Sequence, residues 1–90
     1  MKTQLTAIVK GKVQGVGFRA TTKLIAEKLQ LTGFVRNLSN GDVEICAQGE
    51  KEILKQLLVE LRKAFPSHYI EHIDFDFKPV ETQYDSFKIE

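Results

Sequence analysis

The order of apolar patterns in this 90-residue chain predicts an α+β fold with elements in the order β-α-β-β-α-β. Two helices would cover one face of an antiparallel sheet. Three observations carry that expectation. Residues 19–29 and 51–65 repeat apolar side chains at helical spacing, between stretches patterned as strands. Asn40-Gly41 separates two strand candidates, and Asn-Gly is the strongest short hairpin signal. In the third and fourth strand candidates apolar and polar residues alternate, which leaves one sheet face open. The arrangement is the split β-α-β, or ferredoxin-like, fold.

The first strand, residues 5–9, sets Leu5, Ala7 and Val9 on one face and Ile8 on the other, so it reads as apolar on both sides and central. A glycine-rich run follows. In the first helix, residues 19–29, Thr21, Leu24, Ile25 and Leu29 share a stripe opposite Lys23, Glu27 and Lys28. Gln30-Leu31-Thr32-Gly33 breaks it. Residues 34–38 form the second strand. Residues 43–48 form the third, with Val43, Ile45 and Ala47 on the buried face and Glu44, Cys46 and Gln48 on the wetter one. The second helix, residues 51–65, aligns Ile53, Leu54, Leu57, Leu58, Leu61 and Phe65, and Pro66 stops it. In the fourth strand Ile73, Phe75 and Phe77 alternate with His72, Asp74 and Asp76, and Pro79 ends it. Residues 84–89 add a short extended tail with Phe87 and Ile89 directed inward.

A chain of this length holds one domain, residues 1–90, around a single core. Thirteen basic against twelve acidic side chains leave a net charge of +1, which argues against a general nucleic-acid binder with its basic stripe. RNA-recognition modules share the βαββαβ order. Their aromatic signature is missing, however, and residues 43–48 offer no ring on which a base could stack. No apolar run approaches the ~20 residues of a membrane span. Met1-Lys2-Thr3-Gln4 lacks the apolar stretch of a signal peptide, so a cytoplasmic protein without a membrane partner is expected. Cys46 is the single cysteine, in keeping with a reducing compartment. With no evident partner helix, a monomer is expected.

Few side chains offer chemistry. Cys46 lies mid-strand without a nearby histidine and reads as filler, since a reactive thiol needs an electropositive site. His68 and His72 fall in a stretch patterned as extended, which sets them ~13 Å apart at a rise of ~3.3 Å per residue. No metal site is expected there, even with Asp74 and Asp76 nearby. Glu50, Glu52, Glu60 and Glu71 read as solvated residues of turns and polar helix faces.

The run at residues 11–19, GKVQGVGFR, is the exception. It leaves a strand, enters a helix, and carries Gly11, Gly15 and Gly17 before Arg19. Glycines spaced this way let backbone N–H groups converge, and a helix start adds unpaired donors and positive potential. Arg19 supplies a planar fork suited to phosphate or carboxylate. A tight turn with a solvated arginine satisfies the same residues. Neither GxxxxGK[ST] nor GxGxxG is met, because Ala20 occupies the last glycine position of the latter. Asn37, just ahead of the hairpin turn, reads on its own as turn chemistry, and in a βαββ layout it could instead face the glycine cradle.

Together the two stretches resemble the acylphosphatase family. Gly11-Lys12-Val13-Gln14-Gly15-Val16-Gly17-Phe18-Arg19 matches every fixed position of its motif G-x-V-Q-G-V-x-F-R. Gly33-Phe34-Val35-Arg36-Asn37, then Gly41-Asp42-Val43 and Gly49, matches the second motif, and the ending Phe87-Lys88-Ile89 fits F-x-I. The resemblance covers essentially the whole chain. It implies hydrolysis of the carboxyl–phosphate bond of a small-molecule acyl phosphate, without metal or cofactor. It further implies that Arg19 grips the phosphate and Asn37 holds the attacking water. The backbone N–H groups of Gln14, Gly15, Val16, Gly17 and Phe18 would form the cradle. A non-catalytic anion-sensing module on the same cradle is the alternative. Three positions depart from the commoner pattern. Gln30 stands where a helix-ending glycine is usual, Phe34 where tryptophan is frequent, and Asp42 where threonine or serine often lies beside the asparagine.

Overall fold

The computed structural model describes residues 2–90. Its elements are β1 (Thr3–Gly11), α1 (Phe18–Lys28), β2 (Thr32–Asn37), β3 (Val43–Gly49), α2 (Lys51–Ala64), β4 (Ile70–Pro79) and β5 (Phe87–Ile89). The sheet order is β4-β1-β3-β2-β5. β1 pairs antiparallel with both β3 and β4, and β3 pairs antiparallel with β2. The expected antiparallel sheet is corrected at one edge. Gly33, Phe34 and Val35 of β2 pair in parallel with Phe87, Lys88 and Ile89, which makes the sheet mixed. The cause is the return path, since the chain leaves β4 at one edge and re-enters at the other.

One face of the sheet is dry. Leu5, Ala7, Val9, Val35, Val43, Ile45 and Ala47 are fully buried there beneath Leu54, Leu57 and Leu61 of α2. β1 lies inside the sheet as expected, but Ile8 on the opposite face is only half-buried. Phe87 is buried, whereas Ile89 stays 43% exposed, so the inward placement expected for both holds for Phe87 alone. Phe75, on the edge strand β4, is also exposed.

Two further expectations change. Cys46 and Gln48, assigned to the wetter face, are buried. The segment between β4 and β5 crosses over Gln48. Gln48 Nε2 donates to Thr82 O and to Gln4 Oε1 at 3.0 Å, and Gln48 Oε1 accepts from Tyr84 N at 3.1 Å. A buried side-chain amide is thereby satisfied at both ends. The same burial, reinforced by the Glu44 carboxylate, pushes the Cys46 thiol above its ordinary range. Thiolate is thus disfavoured, as suits an inert cysteine. In α1 the core-facing residues are Phe18, Thr22 and Ala26, while Leu24 is 60% exposed. The helix begins at Phe18, and the i, i+4, i+8 ridge of small residues behind that ring faces the core. Thr22 Oγ1 donates to Phe18 O at 2.8 Å within the helix.

The end of α1 shows what Gln30 does. Gln30 N donates to Glu27 O at 3.0 Å and Leu31 N to Ala26 O at 2.8 Å, the two bonds of a Schellman ending, with Leu31 and Ala26 both buried. Gln30 must therefore adopt φ 59°, the left-handed region. That conformation costs a residue with a Cβ ~1–2 kcal/mol, partly offset by the greater unfolded-state entropy of glycine. Gln30→Gly is expected to stabilise the protein by about 1 kcal/mol, read as a rise in Tm of roughly 4–8 °C for a domain of this size. An unchanged or lowered Tm would contradict this account of strain.

Candidate functional site

The glycine-rich run leaves the sheet at Gly11. The β1–β4 register shifts between Lys10 and Gly11, and Lys12 N donates to Tyr69 O at 2.7 Å. The loop is pinned from below by Val13 and Phe18, both buried. The Phe18 ring packs 4.9 Å from that of Phe65, which meets Tyr69 edge-on. Above these anchors Gly15 and Gly17 take φ 78° and 79°, conformations that place a side-chain Cβ under strain. Gly17 is also the N-cap of α1, and no side chain caps that end. Among the described residues, the N–H groups of Gly15, Val16, Gly17 and Phe18 donate to no protein acceptor. Free donors, left-handed glycines and a helix N-terminus thus stand together at one corner.

Arg19 completes it. Half-buried, it lines a cavity of about 170 Å³ with Val13, Gly15, Gly17, Phe18, Ala20 and Ile89. Among the described residues its guanidinium has no ion-pair or hydrogen-bond partner. Arg36 provides the contrast. Its Nε lies 2.6 Å from Glu44 Oε1, and its guanidinium sits over the Phe34 ring. A larger groove of about 320 Å³ lies between α2 and β4, but Leu58, Val59, Ile73, Phe75 and Phe77 make it chiefly apolar.

Asn37 is the last residue of β2, paired with Val43 of β3. It is exposed, and its amide makes no hydrogen bond among the described residues. It does not line the Arg19 cavity. The hairpin that follows it is nevertheless fastened to the glycine loop. Gln14 Nε2 donates to Leu38 O at 2.8 Å and to Asp42 O at 2.9 Å. Gln14 therefore sends its side chain to the hairpin, and Val16 points outward, so neither side chain lines the cavity. The Asp42 carboxylate is engaged within the turn by Asn40 Nδ2 at 3.2 Å, and Asp42 N donates to Asn40 Oδ1 at 3.0 Å.

The bridge from Gln14 and the rim position of Ile89 lay beyond the sequence reading. An amide side chain inside a run of glycines was the one visible hint of the first. His68 lies in the turn at 67–69, not in extended chain, and His72 pairs with exposed Asp74 at 2.7 Å. Among the described residues, no group of three His, Cys, Asp or Glu side chains stands close enough to hold a metal ion.

The sequence model of the acylphosphatase family matches residues 5–89. A relative from Dehalococcoides mccartyi (strain CBDB1), named acylphosphatase, is 41% identical over 86 residues, covering 94% of each chain. The crystal structure of acylphosphatase from Bacillus subtilis superposes with a TM-score of 0.90 at 32% identity, covering 98% of both chains. The structure of an acylphosphatase from Coxiella burnetii gives a TM-score of 0.87 at 38% identity, covering 99% of this chain and 93% of its own.

Proposed function

The chain belongs to the acylphosphatase family and hydrolyses acyl phosphates, and we propose that it does so with one guanidinium, a loop of amides and one side-chain amide. The observation that carries this reading is Arg19, without a partner among the described residues, in a cavity bordered by two left-handed glycines. Arg19 and the N–H groups of residues 14–18 hold the phosphoryl oxygens and neutralise the charge that spreads over them. Asn37 orients water in line with the leaving oxygen.

The chemistry explains why so little machinery suffices. The departing group is a carboxylate whose conjugate acid has a pKa of about 4, so it leaves without a proton donor. Phosphoryl transfer depends chiefly on positioning and charge stabilisation. The cavity lining holds no carboxylate, imidazole or thiol to serve as base. The water proton therefore passes to a phosphoryl oxygen of the substrate itself. A monomer fits this scheme, because one chain supplies every group named. Action in the cytoplasm agrees with the single cysteine, Cys46, being free.

Incubation of the pure protein with benzoyl phosphate, followed as loss of ultraviolet absorbance, tests the proposal. The expected result is hydrolysis that EDTA leaves unchanged. Loss of turnover in EDTA would overturn it, as would a bell-shaped pH profile whose limbs move with a side-chain substitution.

A further inference from the structure

We infer that Gln14 is a positioning residue for the hydrolysis, its side-chain amide locking the Asn37 hairpin in register with the phosphate loop. The inference rests on the roles proposed above for Arg19 and Asn37. Gln14 Nε2 reaches across 24 and 28 residues of sequence to Leu38 O and Asp42 O, so both of its hydrogens are used. These are the carbonyls just beyond the last β2–β3 pair, Asn37 with Val43.

Neither carbonyl needs Gln14 for its own satisfaction. Leu38 O already accepts from Gly41 N at 3.2 Å, and Asp42 O from Leu38 N at 2.8 Å. The hairpin is a closed turn without the bridge. What the bridge adds is a fixed relation between two segments that carry the two halves of the reaction. On one side stand the loop donors and Arg19, and on the other stands Asn37. Among the described residues the Asn37 side chain has no partner of its own, so its aim is set by the backbone that Gln14 holds. Misplacement by about 1 Å can cost ~100-fold in rate, because the attacking water then leaves the line of attack.

The experiment is a double-mutant cycle on the full chain, read with benzoyl phosphate as substrate and inorganic phosphate as ligand. Gln14→Met preserves side-chain length and removes both donors. Gln14→Leu likewise removes both donors without adding charge and serves as the second variant should the first fail to fold, with folding checked by circular dichroism. Either variant is expected to lower kcat about 10- to 100-fold while inorganic phosphate affinity changes less than about threefold. Placed in an Asn37→Ala background, it is expected to change the residual kcat less than about twofold, since nothing remains to be aimed. The same loss in both backgrounds would overturn the inference, and so would phosphate affinity falling in step with kcat. If Asn37→Ala abolishes turnover but the Gln14 variants do not lower it, the bridge is structural only and the proposed function stands. If Asn37→Ala turns over normally, the water-orienting role fails and the inference falls with it.

Discussion

Arg19→Ala is expected to abolish turnover and phosphate binding together. Arginines that stabilise a transferring phosphoryl group contribute about 10³- to 10⁵-fold in rate, or roughly 4–7 kcal/mol at 1.36 kcal/mol per factor of ten. The proposed function puts Arg19 in that class; it shares the cavity with loop residues Gly15, Gly17 and Phe18 and has no competing partner among the described residues. Unlike a residue that acts only in the transition state, it would also hold the ground-state phosphate. The substitution is therefore expected to erase competitive inhibition by inorganic phosphate as well as catalysis. Arg19→Lys keeps the charge and loses the planar fork, so it should recover part of the binding and little of the rate. Phosphate titration calorimetry and benzoyl phosphate turnover on the two variants check this. Undiminished phosphate affinity in the alanine variant would remove Arg19 from the site.

The fold should survive that substitution and even gain from it. Arg19 stands in the first turn of α1, a turn that contains no acidic residue. A cation there opposes the helix dipole, at a cost of ~0.3–1 kcal/mol at exposed positions. Removing it breaks no ion pair among the described residues. The chain thus tolerates local electrostatic strain at the place where an anion would relieve it. Activity lost without loss of thermal stability separates this account from simple unfolding.

Much of this is legible in the sequence. The hairpin at Asn40-Gly41, the heavy apolar stripe of α2 and the Pro66 stop are local signals, and local signals survive in sequence. So does the glycine run, since left-handed backbone at Gly15 and Gly17 is a demand each position makes alone. What was hidden is non-local. β5 has three residues, too few to show a period, and its parallel partner lies more than fifty residues earlier in the chain. The face of α1 toward the core is built on Thr22 and Ala26, chosen for size, so Leu24 carried the apolar signal to the wrong side. Gln48 looks like a solvated strand residue until the segment containing Thr82 and Tyr84 crosses it. In the site, Gln14 was assigned by its place in the loop. Its side-chain partners are backbone carbonyls, which carry no residue identity for a motif to record.

Asn37→Ala is expected to give the opposite kinetic signature from Arg19→Ala, with turnover lost and phosphate binding kept. Asn37 lies outside the cavity that Arg19 lines, so the ground-state anion is held without it. In the proposed role it contributes when water must be aimed at phosphorus, and loss of one such preorganised group costs about 10²- to 10³-fold in kcat. An interaction made only at that stage lowers kcat and kcat/KM alike and leaves KM near its original value. Stability should change by less than about 0.5 kcal/mol, because the side chain is exposed and has no partner among the described residues. An amide does not titrate, so the residual activity should keep the pH profile of the parent. A profile that changed shape would mean that Asn37 had been masking a titrating base, against the assignment of the water proton to the substrate. Turnover within a few-fold of the parent would show that water reaches phosphorus unaided. The two substitutions thus divide the site into a half that grips and a half that aims.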